Sequence, residues 1–196
     1  MAKDPLESSP PLAPEPRYGS TAIGFHWAVA ALVVVVGTLG LLHDDWPKTT
    51  QSYWINVHAL LGLLLWGVVM ARLTWRTRHP PPVLPDTVGA WARRLSSPVH
   101  LALYGLLLLI PVVGIITFIY HGRVFEFGLF RLDFGIKKNR AVFAPTEDLH
   151  GYLAYALFAL AALHAAAALW HQFYLRDGVL LRMWPRRSGR AHRVDE

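Results

Sequence analysis

Histidine is the residue type in this sequence best suited to hold a metal or a metal-containing cofactor. The chain has ten histidines and no cysteine. The lack of cysteine excludes disulfides, cysteine-ligated zinc or iron–sulfur centres, and a haem attached covalently through a C-x-x-C-H motif. Some of the histidines fall inside long apolar runs, where an ionisable side chain is costly and therefore indicates a functional role, and four of these are the main candidates. They are His26, His58, His150 and His164.

The elements that must position these histidines are membrane-spanning helices. The chain of 196 residues is 54% hydrophobic and 16% charged, whereas soluble domains are typically about 25% charged. A spanning helix needs about 20 apolar residues, and four runs are long enough: 23–42, 53–73, 101–120 and 149–173. The sequence therefore predicts an all-α, integral membrane four-helix bundle over residues 21–180. A disordered Pro-rich leader is expected over residues 1–20, and a basic cytoplasmic tail over residues 181–196.

The distribution of arginine predicts the orientation of the bundle. Five arginines lie at the end of the second run and in the connection after it, and six follow the fourth run. The first connection has Lys48 as its single basic residue, beside two aspartates. By the positive-inside rule, both termini and the second connection are cytoplasmic in a bacterial inner membrane. The net charge of +6 is then a topological signal, and nucleic-acid binding is not expected because no nucleic-acid motif accompanies it.

Depth in the bilayer pairs the four histidines. In this orientation His58 and His150 lie near the outer ends of their helices, and His26 lies near the inner end of the first. His164 follows His150 by 14 residues, which is about 21 Å along a helix and within roughly 40° of the same face. We therefore expect an outer pair, His58 with His150, and an inner pair, His26 with His164.

Two imidazoles per site, without carboxylate or thiolate, suit two b-type haems with bis-histidine ligation, because zinc takes about four ligands. Such an iron has no open position, so electron transfer is the expected chemistry. A single histidine in a span is more simply explained by a hydrogen bond between helices, but four at matched depths favour ligation. Small residues one turn from the histidines leave room for a planar cofactor or serve close helix packing: Ala30, Gly62, Ala154 and Ala168.

The remaining histidines are weaker candidates. His171 lies on nearly the same face as His164 and is its rival as the inner ligand. His100, at the inner start of the third run, is a candidate proton carrier or propionate partner. The others lie at the outer ends of the first and third runs or among arginines: His43, His121, His79 and His192.

Several segments resemble the bacterial cytochrome b561 family, which are four-helix membrane proteins that bind two haems. The similar segments cover most of residues 18–187: YGSTAIGFHW, NVHALLG, MARLTWRTRHPPPVLP, SSPVHLALYGLLLLIPVVGIITF and DLHGYLAYALFALAALHAAAALWHQFYLRDGVLLRMWPR. The block LHAAAALWHQFYLRDGVLLRMWP is the most specific of them. The resemblance implies that the haem ligands are the four histidines that depth also selects: His26, His58, His150 and His164.

Within that family the chain most resembles members that oxidise superoxide. The resemblance implies an oxidoreductase that passes electrons from periplasmic superoxide to ubiquinone in the membrane, releasing oxygen and forming quinol. The third connection, 121–148, departs most from the family pattern. Its cations either attract an anionic donor or belong to a solvated loop with nearby acids, and the sequence favours the loop at least as strongly. These cations are Arg123, Lys137, Lys138 and Arg140. Candidates for a quinone site at the inner end are Trp27, Trp75, His100 and Arg72.

Two other functions remain open at this point. The chain could be a cytochrome b membrane-anchor subunit that passes electrons between quinone and a redox partner protein, such as a dehydrogenase or reductase. It could also be a transporter or assembly protein that handles metal or haem. The second alternative is disfavoured because the sequence lacks histidine-rich tracts and carboxylates within the apolar runs.

Overall fold

Four long helices make up most of the protein. The computed structural model describes residues 17–83 and 88–185. The helices are α1 (Ser20–Leu41), α2 (Lys48–Arg78), α3 (Ala90–Tyr120) and α4 (Arg140–Trp170). All four are long and apolar enough to cross a membrane, as the sequence predicts. Most of the predicted leader and tail lies outside the described residues, and so do His192 and Asp86.

Three helices are longer than the apolar runs that predict them. Helices α2, α3 and α4 have 31 residues each, or about 46 Å at 1.5 Å per residue, whereas the hydrocarbon core is about 30 Å thick. Helix α3 begins at Ala90 and continues through Pro98 and Pro111, and α4 begins at Arg140 and continues through Pro145. The hydropathy pattern detects only the apolar part of each helix, because polar turns beyond the bilayer carry no apolar signal.

The centre of the bundle is a layer of apolar side chains to which all four helices contribute. Helix α1 packs on α2, α3 packs on α4, and α2 contacts α3. The layer consists of Val29, Leu65, Val69, Leu107 and Leu157. Along α4, Leu157 is seven residues from His150 and seven from His164. The layer therefore separates an outer half of the bundle from an inner half.

A short segment after α4 closes the inner end. The π-helical turn His171–Leu175 is followed by a 3-10 helix, Leu180–Met183. The Arg182 side chain in this helix is 3% exposed and donates to the carbonyls of Pro82 and Val83 at 3.1 and 2.8 Å. Trp27 Nε1 of α1 donates to the Met183 carbonyl at 2.8 Å. Contacts with the bundle thus continue beyond residue 180, although the proposed domain limits stay a prediction.

A β-hairpin occupies the connection between α3 and α4. Strands β1 (Phe125–Phe127) and β2 (Phe130–Leu132) pair antiparallel. Gly128 is the first of the two turn residues between the strands. Its φ of 72° lies in the left-handed region, which glycine adopts readily and which two-residue hairpin turns require at this position. Phe125 is 3% exposed and stacks on Phe118 with 4.2 Å between ring centroids. The hairpin is therefore packed onto the outer end of α3.

Asn56 of α2 fixes the hairpin from the other side. Its Nδ2 donates to the Glu126 carbonyl at 2.9 Å, and its Oδ1 accepts from the Glu126 amide at 3.1 Å. The Glu126 side chain lies 3.8 Å from Arg131 in an exposed ion pair, which contributes little to stability. The backbone bonds to Asn56, and not the ion pair, hold the hairpin against α2.

Replacing Asn56 tests this attachment. We expect Asn56→Ala to accelerate hydrogen exchange at the Glu126 amide about tenfold or more, because each lost hydrogen bond is worth about 0.5–1.5 kcal/mol. The measurement is hydrogen–deuterium exchange resolved to the hairpin. Glu126→Ala is the matched control, since it removes the ion pair and keeps both backbone bonds; equal acceleration in the two variants would contradict the assignment.

Candidate functional site

The outer histidine pair comes together between α2 and α4. The His58 and His150 rings have centroids 6.0 Å apart and are nearly perpendicular, at 80°. Each Nδ1 faces a backbone carbonyl: that of Val36 at 3.0 Å for His58 and that of Ile110 at 3.1 Å for His150. A carbonyl can only accept, so Nδ1 carries the proton and Nε2 keeps its lone pair. This is the usual arrangement of a histidine that binds a metal through Nε2.

Glycines make room for these two rings. A Cβ on Gly114 of α3 would lie 2.9 Å from His150 Cε1, and a Cβ on Gly40 of α1 would lie 3.0 Å from His58 Cε1. A Cβ on Gly37 would lie 2.0 Å from Phe158 of α4. Any larger residue at these positions would have to push an imidazole or a phenyl ring aside. The backbones of α1 and α3 can therefore approach the pair only because these residues are glycine.

A cavity of about 380 Å³ surrounds the outer pair. It is lined mainly by apolar side chains, and Gly62 and Ala154, one turn from the histidines, are part of its wall. A Cβ on Gly62 would meet no atom within 4 Å, so this glycine faces open space and does not serve close helix packing. The volume falls in the range of roughly 300–1,000 Å³ that is typical of cofactor sites.

The inner pair comes together between α1 and α4. The His26 and His164 rings have centroids 6.3 Å apart, at 73°. His100 of α3 is also present, with its ring 5.4 Å from that of His164 and its Nδ1 2.5 Å from the Ser96 carbonyl. The sequence predicts His100 only as an auxiliary group, and the structure places it in direct ring contact with the inner pair.

Ring spacing distinguishes these imidazoles. Two imidazoles that bind one iron through Nε2 have ring centroids about 6 Å apart, because each metal–nitrogen bond is about 2 Å. The spacings of 6.0 and 6.3 Å match this requirement. The spacing of 5.4 Å between His100 and His164 is shorter. Both predicted pairs thus fit bis-histidine ligation, and the ring spacing does not favour His100 as a ligand.

His171, the rival inner ligand, has a different partner. It lies in the π-helical turn beyond α4, with Nδ1 2.5 Å from Asp177 Oδ2. The two side chains are 14% and 4% exposed, so this contact is well shielded from solvent. An Nδ1 bond to a carboxylate is also compatible with ligation through Nε2, so it does not decide between the two histidines. The His164 ring lies 6.3 Å from the His26 ring, and this spacing favours His164 as the ligand.

The mouth of the outer cavity carries charged side chains. Arg123 and His121, just beyond α3, line it together with Glu147 and Asp44. Lys138 lies beside them, with Nζ 5.1 Å from the Phe143 ring centroid. Burial, followed by the charges of Arg123 and Lys138, lowers the pKa of His121 from its usual value. His121 is therefore neutral at pH 7, and the positive charge at the mouth comes from Arg123 and Lys138. Lys137 and Arg140 are exposed.

The four candidate quinone residues do not form one pocket. Trp27 contacts His26 edge-on, with 5.6 Å between centroids. Trp75 stacks on His79 at 3.9 Å. Arg72 Nε donates to the Tyr104 hydroxyl at 2.8 Å. Arg72 and Trp75 line a small pocket of about 30 Å³, which is too small for a quinone ring.

Sequence reasoning missed Tyr104 and the three glycines that face the histidines and Phe158. Glycines in apolar spans are common, so their presence alone does not mark a site. Gly114 gives a partial signal in the sequence, because it lies three residues after Pro111 inside the third apolar run, where two residues that disfavour helix stand close together. Which ring it faces depends on how α3 packs on α4, which the sequence does not show.

Gly114 offers a test of the outer site. We expect Gly114→Ala to reduce the haem bound per chain, because its Cβ would lie 2.9 Å from His150 Cε1 and displace the ring. Gly105→Ala in the same helix is the control, since its Cβ would meet nothing within 4 Å. A pyridine haemochrome assay on both purified variants gives the measurement. Full haem content with an unchanged spectrum in Gly114→Ala would contradict the placement of His150 at a haem.

Comparison with known proteins agrees with this geometry. The profile of the family described as prokaryotic cytochrome b561 matches residues 17–186. Cytochrome b561 homolog 1 of Escherichia coli (strain K12) is 30% identical over 174 residues, covering 88% of this chain and 99% of that protein. Cytochrome b561 homolog 2 of the same strain is 31% identical over 174 residues, covering 85% of this chain and 90% of that protein. Probable superoxide oxidase CybB of Yersinia pestis is 28% identical over 174 residues, covering 88% of this chain and 98% of that protein.

The family match spans nearly all of the described residues, and it includes every helix of the bundle. The function common to this family is electron transfer in a membrane by b-type haem. Four apolar helices and paired imidazoles with free Nε2 atoms suit that function. The chain belongs to the prokaryotic cytochrome b561 family of haem-binding membrane electron-transfer proteins.

Proposed function

We propose that this protein binds two b-type haems and transfers electrons from superoxide at the outer face to ubiquinone in the membrane. The observation that carries the proposal is the presence of two imidazole pairs at opposite ends of one bundle, with ring spacings of 6.0 and 6.3 Å. His58 and His150 would hold the outer haem, and His26 and His164 the inner one. One-electron transfer is the chemistry that b-type haems supply when bound.

The protein's own contribution is to fix the ligands and exclude water. The carbonyls of Val36 and Ile110 hold the protons of the outer imidazoles on Nδ1, which makes Nε2 the more basic, ligating atom. The central layer of Val29, Leu65, Val69, Leu107 and Leu157 is apolar. These side chains offer no polar group that would bind water or an ion between the two sites. The layer therefore blocks the passage of ions, whereas electrons can cross it.

Superoxide as donor is supported by the cavity mouth. Superoxide is a small anion, and Arg123 lines the entrance to the cavity that holds the outer imidazoles. Lys138 adds a second positive charge beside it, while Glu147 and Asp44 in the same lining oppose these charges. The proposal requires the two cations to dominate locally, because positive potential at an entrance raises the association rate of an anion. The balanced reaction takes one electron from each of two superoxide ions, releases two molecules of oxygen, and reduces one quinone to quinol with two protons.

The orientation proposed for this reaction places both termini in the cytoplasm. The inner end collects Arg72, Arg76 and Arg78 at the end of α2, and Arg93 and Arg94 at the start of α3. By the positive-inside rule this end faces the cytoplasm of a bacterial inner membrane. The outer cavity and its hairpin then face the periplasm, where superoxide would arrive.

A membrane-anchor cytochrome is the second candidate function. The observation that favours it is the hairpin turn at the outer end, where Leu129 is 97% exposed and Phe130 is 76% exposed. Exposed apolar residues at the end of a hairpin suit contact with another protein. In that case electrons would pass between quinone and a dehydrogenase or reductase docked at this end.

Substitution of the ligands tests the haem assignment. We expect His58→Ala or His150→Ala to remove the outer haem, and His26→Ala or His164→Ala to remove the inner one, because a haem held by two imidazoles loses half of its axial bonds. Haem per chain and low-spin visible spectra are the measurements. His171→Ala is the control and keeps both haems; if it empties the inner site while His164→Ala does not, the inner assignment is wrong.

Superoxide addition in a stopped-flow instrument tests the donor. We expect fast reduction of the haem that slows as salt is raised, and roughly three- to tenfold slower reduction in Arg123→Gln, because the charge that attracts the anion is lost. Lys48→Gln removes an exposed charge at the same end, away from the cavity mouth, and serves as the matched control. No reduction of the wild-type haem by superoxide would favour the anchor function.

A further inference from the structure

Arg72 is a half-buried positive charge that the proposed electron path does not use. It follows His58 on α2 by 14 residues, which brings it back to within roughly 40° of the same face, about 21 Å further in. Arg72 donates to Tyr104, which lies one turn after His100 on α3, and the His100 ring is 5.4 Å from that of His164. Arg72 therefore lies beside the inner imidazole pair, on nearly the same face of α2 that carries His58 at the outer pair.

The guanidinium of Arg72 is only partly satisfied. Nε donates to the Tyr104 hydroxyl at 2.8 Å, whereas Nη1 is buried and has no hydrogen-bond partner among the residues described. Within residues 17–83 and 88–185, none of the ion pairs involves Arg72. A buried N–H group without a partner is unfavourable, and so is a cation near the membrane core without a counter-charge, so a bound anion would stabilise this site.

The described acidic residues are in the wrong places to supply that anion. Six of them belong to the outer half of the protein, and the seventh, Asp177, contacts His171. The six are Asp44, Asp45, Glu126, Asp133, Glu147 and Asp148. Asp86 belongs to the connection between α2 and α3 and lies outside the described residues, so its role is settled by experiment below.

The chemistry of the site selects a carboxylate. A guanidinium presents parallel N–H groups that match the two oxygens of a carboxylate. The Tyr104 oxygen accepts from Arg72 Nε, which leaves its own proton free to donate to the same group. A neutral quinone carbonyl would accept a hydrogen bond but would not balance the charge. A b-type haem carries two propionates, and the Arg72–Tyr104 bond lies one turn of α3 from His100, which contacts the inner imidazole of His164.

We propose that Arg72 and Tyr104 form a carboxylate-binding site that holds a propionate of the haem between His26 and His164. This inference rests on the proposed function, because it requires an inner haem. Arg72 acts here as a positioning residue. Its positive charge also favours the reduced iron, which carries one positive charge fewer than the oxidised iron. The inner haem is thereby made the better electron acceptor, and electrons are drawn inward.

The experiment compares holoprotein variants by potentiometric titration and by resonance Raman spectroscopy of the haem propionate modes. Arg72→Gln is expected to lower the reduced-to-oxidised ratio of the inner haem at least tenfold, or about 59 mV for a one-electron couple. The outer haem stays unchanged, and the inner propionate mode shifts. Arg72→Lys keeps the charge but loses the parallel N–H groups, so it restores the potential and leaves the mode shifted. The inner transition is identified as the one missing in His26→Ala.

Matched controls separate the alternatives. Arg78→Gln removes an exposed charge from the same helix end, and an equal change in this variant would overturn the proposal. Asp86→Asn is expected to leave the inner potential and propionate mode unchanged; a rise in the inner potential in this variant would overturn the proposal, by identifying Asp86 as the counter-ion of Arg72. If Arg72→Gln loses the inner haem alone, the site is needed for haem binding and the proposal is supported. If Arg72→Gln fails to fold, the propionate mode is measured in Tyr104→Phe instead. An unshifted mode in that variant would contradict the proposal.

Failure of this inference and failure of the proposed function give different results. Wild-type protein with fewer than two haems per chain contradicts the proposed function itself. Wild-type protein with two haems, and with an unchanged inner potential and propionate mode in Arg72→Gln, contradicts only the role of Arg72.

Discussion

The low dielectric of the bilayer is the constraint on which the rest of this structure depends. Every polar group at membrane depth must find a partner within the protein or its cofactor. The outer imidazoles satisfy Nδ1 with the carbonyls of Val36 and Ile110, so Nε2 of each keeps its lone pair. The same requirement makes the unpaired Nη1 of Arg72 informative. In water it would need no explanation; here it is the observation on which the proposed carboxylate site rests.

Helix geometry converts this local chemistry into a path across the membrane. A spacing of 14 residues returns a side chain to nearly the same face about 21 Å further along. Helix α4 uses this spacing for His150 and His164, and α2 uses it for His58 and Arg72. The apolar layer that contains Leu65 and Leu157 falls midway between them. The same 14-residue spacing on α2 and α4 thus places one polar site on each side of the apolar layer.

Much of this arrangement could be predicted from the sequence. The length of the apolar runs predicts the four spans. The position of each histidine along its run, taken with the alternating direction of the spans, predicts which rings lie at the same depth: His58 with His150, and His26 with His164. The contact of His171 with Asp177, the hairpin fixed by Asn56, and the bond from Arg72 to Tyr104 could not be predicted in this way. The first depends on a π-helical turn, and the other two join elements far apart in the chain. The glycines beside the rings depend on helix packing in the same way.

The closure of the inner end depends on the order in which the chain is synthesised. Trp27 of α1 donates to Met183, and Arg182 donates to Pro82 and Val83. These bonds join the first helix and the middle of the chain to a segment that follows the last helix. They cannot form until the ribosome has added residues 182 and 183. The inner end therefore stays open while the four helices enter the membrane, and it closes only after the segment that follows α4 has been made.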